Sequence, residues 1–199
     1  MKETSRMGTG IFAEIVNDYI CRFKKKAEEE LEYFKSQRSL KEAVSKAALA
    51  RKPSGRKFSH QKRIPKSVLE KAQKILLSNI DEIATAKSFD HLHDMIEKLV
   101  RSIRGIGELY IYDTALRIGA KLGFEPDKIY LHRGTREGAK HLGLNFNKKY
   151  LEITEVPAEL RTLKPREIED LLCIYKNQFK KSADKADASE LAMGRQTCR

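Results

Sequence analysis

Apolar positions recur at helical spacing over most of the chain. Ile11, Ile15, Val16, Tyr19 and Ile20 form a stripe with a helical period, and Leu31, Phe34, Leu40, Val44 and Leu49 continue it less regularly. Lys24, Lys25 and Lys26 stand four residues before Glu28, Glu29 and Glu30, the arrangement of an exposed helix face. Serines at 36 and 39 mark a break, and the helical pattern reaches Ala50. Pro65 or Ser67 opens a further helix carrying Val68, Leu69, Ala72, Ile75, Leu76, Ile80 and Ile83. Ser88 is placed to cap the next one, with Phe89, Leu92, Ile96, Leu99 and Val100 on one face.

A third helical segment runs from Glu108 to about Leu122, and Gly123-Phe-Glu-Pro-Asp127 has the chemistry of a turn. Thr135 is a candidate cap for a short helix ending at Gly143, and Pro165 opens the last helix, with Ile168, Leu171, Leu172, Ile174 and Phe179 apolar. Tyr150–Val156 alternates, but one short strand cannot make a sheet alone. The pattern therefore predicts an all-α protein. Its expected parts are an N-terminal helical region (1–50), a basic flexible loop (51–66), a helical domain (67–181) and a disordered tail (182–199).

Charge sharpens this picture. Of 199 residues, 40 are Lys or Arg and 28 Asp or Glu, a net charge of +12. Residues 1–66 hold 17 of the basic and 8 of the acidic residues, and 43–66 hold eight basic residues and no acid. Arg51, Lys52, Arg56, Lys57, Lys62 and Arg63 stand among Pro, Gly and Ser breakers. Such a loop attracts phosphate by counterion release without reading sequence, which points to a nucleic-acid partner. The loop lacks the apolar face of an interfacial helix, and no apolar run approaches the ~18 residues of a membrane span. The first residues carry no apolar signal core, and the three cysteines (Cys21, Cys173, Cys198) are widely spaced. A reduced cytoplasmic protein without a disulfide framework or zinc motif is the expectation.

The most informative segment is Leu99-Val-Arg-Ser-Ile-Arg-Gly-Ile-Gly-Glu-Leu-Tyr110, between two amphipathic helices. Gly105 and Gly107 flank Ile106, which can plug the space between the helices while the backbone turns around it. Glycine admits positive φ and lets a phosphate approach bare backbone. The following helix offers its first N–H groups and the positive end of its dipole to that anion. Gly105, Ile106, Gly107 and Glu108 are thus candidate backbone contacts to a phosphate, with Arg104 as a flanking charge.

Arg104-Gly-Ile-Gly-Glu108 resembles the helix-hairpin-helix motif. The order that follows (Thr114–Gly123, Pro126, Ile129-Tyr-Leu-His132, Arg136, Leu142-Gly-Leu144) is similar to the helix-hairpin-helix DNA glycosylases of the endonuclease III class. The resemblance covers about residues 92–145, roughly a quarter of the chain. It implies duplex DNA as partner, a glycosylase-like helical core, His132 and Arg136 among the DNA-proximal residues, and a monovalent cation held by hairpin carbonyls. It also locates two departures. The family's catalytic Asp, two residues before the His, is replaced by Tyr130, and the Lys of bifunctional members by Leu109. No iron–sulfur cysteine cluster is present, so no cofactor is expected. The leading expectation is a DNA-binding protein, connected with DNA repair, that lacks the family's base-excision chemistry.

Two other readings stand beside it. One is a divergent active glycosylase or lyase using Asp127, Asp113 or Tyr130. The other is an interaction module or accessory subunit that binds a protein partner, or itself, through the N-terminal helix. Asp90-His-Leu-His-Asp94 gathers four potential ligands, but His91 and His93 lie about 200° apart on a helix, so a solvated face is expected rather than a metal site. Tyr110, Tyr112 and Tyr130 suit either base stacking or the core.

Overall fold

The computed structural model describes residues 9–180. The expected all-α class holds: nine α-helices lie among the described residues, and the strands are two residues each. The chain divides into two units that cut across the segments expected from sequence. Lys25–Pro126 forms one unit. Residues 9–24 join residues 127–180 in the other, so the segments expected at 1–50 and 67–181 are each divided between the two. The 182–199 tail lies outside the described residues.

In the 25–126 unit, α2 (Lys25–Lys35) ends where serines interrupt the pattern. Ser39 then caps α3 (Leu40–Ala48) by accepting a bond from the Glu42 N–H. The segment expected to be a flexible loop is instead folded. The Arg51 and Lys57 backbones bridge, Gly55 turns at φ +74°, and Phe58 and Gln61 are buried. Breaker residues here specify a tight turn, and Phe58 anchors it. Pro65 precedes α4 (Lys66–Ser78), which breaks at Asn79 before the short α5 (Ile80–Ala84).

Ser88 caps α6 (Phe89–Val100) as its position predicts, and Gly107 precedes α7 (Glu108–Leu122). α7 packs against α2, α3 and α6, and it buries residues around most of its circumference, which marks it as the unit's central helix. Ala43, Ala47 and Ala48 line the buried side of α3, where small side chains allow close approach. Gly123, at φ +83° in the left-handed region, terminates α7.

In the other unit, α1 (Thr9–Tyr19) continues as a π-helical segment, Ile20–Lys24. Phe12, Ile15, Val16 and Tyr19 enter a core shared with Ile129, Leu151, Leu160, Ile168, Leu171 and Phe179. The stripe read as a partner-binding face is thus largely consumed within the fold, although Ile11 and Ile20 stay exposed. β1 (Ile129–Tyr130) pairs antiparallel with β2 (Tyr150–Leu151). α8 (Arg133–His141) and α9 (Pro165–Ile174) pack against each other at backbone distance. A Cβ on Gly138 would stand 2.1 Å from the Leu172 carbonyl oxygen, so only glycine fits there.

Candidate nucleic-acid interface

The turn between α6 and α7 has the build its sequence predicts. Ile103 and Ile106 are buried, while Arg104, Gly105, Gly107 and Glu108 are exposed. The Ile106 N–H donates to the Ile103 carbonyl at 3.0 Å, which closes the turn around the Ile106 plug. Gly105 sits at φ +99°, where an L side chain is strained. Gly107 has an extended backbone (φ −117°, ψ 176°) that any residue adopts, and a Cβ there would meet nothing within 4 Å. Its glycine therefore answers no demand of packing. It leaves the start of α7 without a side-chain cap.

The first N–H groups of a helix have no carbonyl one turn earlier to bond, and the dipole adds partial positive charge at that end. Gly107 supplies no oxygen in compensation. The α7 terminus is held from behind: the Tyr110 hydroxyl donates to the Ala48 carbonyl at 2.7 Å in the interior. Burial pushes the Tyr110 hydroxyl pKa from 10.0 up to about 12, so the neutral donor is the stable form.

The basic segment reaches this turn through α4. A methyl group on Gly105 would contact Val68 at 3.6 Å, so the first turn of α4 packs beside the glycine turn. That helix starts three residues after Arg63, and it also lacks a side-chain cap. Arg56, Lys62, Arg63 and Arg104 are exposed and make no ion pair among the described residues. Lys66 makes a loose, exposed pair with Glu70 at 3.4 Å. The other basic residues of the segment serve the fold. Lys57 Nζ donates to the Ile64 carbonyl at 2.7 Å, Arg51 to the Gly55 carbonyl at 3.2 Å, and Lys52 pairs with Glu30 while lying 5.1 Å from the Phe58 ring centre.

Two contacts, one of them partly buried, fix this segment against α7. Gln61 donates through Nε2 to Asp113, and Arg117 pairs with Asp113 at 3.1 Å while its guanidinium stacks 3.9 Å from the Phe58 ring centre. Asp113, a candidate catalytic carboxylate, is therefore committed to Arg117 and Gln61. Phe58 and Gln61 did not stand out in the sequence. An aromatic and an amide within a strongly basic run were the available signals.

The residues carried over from the glycosylase resemblance lie in the other unit and are mostly interior. Tyr130 is buried, its ring 6.0 Å from that of Tyr150. Tyr110 and Tyr112 are buried as well, which assigns all three tyrosines to the core rather than to base stacking. His132 is 3% exposed and caps α8, a role expected of Thr135. Its Nδ1 accepts from the Gly134 N–H at 3.2 Å, which leaves Nε2 to bear the proton facing Glu169. Thr135 completes the box by accepting from the His132 N–H at 2.7 Å. A buried side chain so engaged does not reach a phosphate, which corrects its reading as a DNA contact. Arg136 reaches across a loop, donating to the Phe146 and Lys148 carbonyls at 2.7 and 2.6 Å. Asp127 is exposed in the turn after Pro126.

Among the described residues, no helix is long and apolar enough to cross a membrane. One group of side chains among the described residues offers metal-ligand atoms in proximity: His93, Asp94 and Glu97 on α6. No protein-family model matches the chain, and no match was found among curated proteins or solved structures.

Proposed function

We propose that this chain is a DNA-binding protein that holds the duplex through a helix-hairpin-helix contact, on a glycosylase-like core without the family's base-excision chemistry. A phosphate oxygen accepts N–H bonds from the Gly105–Glu108 backbone at the start of α7. Arg104, Lys62, Arg63 and Lys66 neutralise neighbouring phosphates.

The observation that carries this reading is the uncapped start of α7 at Gly107, exposed and bordered by the first turn of α4 and its basic approach. A helix N-terminus of this kind favours an anion, and the surrounding cations add a grip that does not depend on base sequence. The absence of the family's excision route is supported by Tyr130, a buried phenol where the family has its carboxylate. Asp113 is already paired with Arg117.

Binding to a fluorescent duplex, followed by anisotropy across a salt series, tests the proposal. The affinity of the wild type falls steeply with salt, with a slope of about 0.9 per phosphate neutralised. Gly107→Lys covers the hairpin backbone, and reversing the charge of Lys62, Arg63 and Lys66 removes the flanking cations. The first lowers affinity throughout, and the second also flattens the slope. Undetectable or salt-insensitive binding by the wild type refutes the proposal.

A further inference from the structure

We infer that His93, Asp94 and Glu97 form a binding site on α6 for one first-row divalent cation of the zinc and cobalt class. One ligand atom from each lies within 4.8 Å of the others, and His93 Nδ1 is 3.6 Å from the Asp94 carboxylate. Tetrahedral coordination with bonds of about 2.0–2.2 Å sets ligand atoms about 3.3–3.6 Å apart. The histidine–aspartate spacing is already close to this, and Glu97 can close the remainder by rotating its side chain.

The three residues differ usefully in freedom. His93 is 5% exposed, and its ring lies 6.4 Å from that of Phe89, so one nitrogen ligand is held in place by the core. Asp94 is exposed and Glu97 half-buried, so the carboxylates face the side from which an ion and its remaining water ligands arrive. The nitrogen and two carboxylate oxygens suit a borderline cation better than calcium, which prefers six or more oxygens. Arg101 competes for Glu97 at 3.7 Å, but a pair of that length with an exposed guanidinium is weak and yields to a metal. His91, two positions from His93, is exposed on another face and takes no part.

The site is independent of DNA, so its test is run on the full chain alone. Titration with cobalt(II) is expected to develop d–d absorption that saturates at one equivalent, and zinc then displaces it. Asp94→Asn and Glu97→Gln keep the buried histidine and the fold, checked by circular dichroism. Each is expected to weaken cobalt binding at least tenfold, whereas His91→Ala and Cys21→Ser leave it unchanged. Absence of stoichiometric binding, equal binding by the two carboxamide variants, or loss in His91→Ala or Cys21→Ser would each overturn the assignment.

Discussion

Helices α7 and α8 both begin beside glycines, yet their first turns are completed in opposite ways. At α8, His132 accepts from Gly134, Thr135 bonds back to His132, and Glu169 holds the far side of the imidazole. At α7, Gly107 offers no side chain, and the tie is Tyr110 bonding inward to Ala48. One terminus spends its polar groups on the fold, and the other is left without a side-chain cap. The difference teaches that a helix start becomes a candidate site only when nothing in the chain completes it. It also explains why the segment of strongest resemblance to catalytic residues reads here as structure.

The largest expected effect is on the closed terminus. His132→Ala removes the cap and one hydrogen-bond partner of the buried Glu169, changes that together cost about 2–4 kcal/mol. Urea unfolding should register that loss, while duplex affinity per folded molecule stays within about twofold. Gly138→Ala comes next, because the added methyl collides with the Leu172 carbonyl. Overpacking of this kind costs about 1–3 kcal/mol or more. Denaturation midpoints for the two variants would sharpen the comparison if both lose stability and keep DNA binding.

On the open side, changing Lys62, Arg63 and Lys66 to Glu should leave unfolding nearly unaltered. It should reduce the salt slope of DNA binding by roughly one for each contact removed. A smaller effect concerns Tyr110. Its hydroxyl titrates at about 12 in the fold against 10.0 when unfolded, so its contribution is intact below pH 10 and lost as pH rises toward 12. Tyr110→Phe should lower stability near neutrality by about 1 kcal/mol. It should also remove part of the alkaline decline, measurable as unfolding free energy between pH 9 and 11.5.

Much of the local structure was legible because its causes are local. Ser88 marks a helix start through an oxygen that meets an N–H three residues on, the serines at 36 and 39 mark a break, and Gly123 marks a helix end through its positive φ. The glycine hairpin was readable for the same reason. What depended on distant partners was not. α1 carries a clear apolar stripe, but nothing in residues 9–24 states that its core lies with residues 127–180. His132 resembled a phosphate contact until Glu169, thirty-seven positions later, supplied its partner. The basic segment looked unstructured because Pro, Gly and charge dominate it, whereas Phe58 and Gln61 decide its conformation by meeting Arg117 and Asp113.

The most direct test is Gly107→Asp, because stability and binding should move independently. Asp is a favourable cap on an extended residue before a helix, and there is open space for its side chain. The account predicts a melting temperature equal to or slightly above that of the wild type, together with at least a tenfold loss of duplex affinity at moderate salt. A variant that remains as stable and binds DNA as tightly as the wild type would contradict the claim that the open end of α7 is the phosphate site.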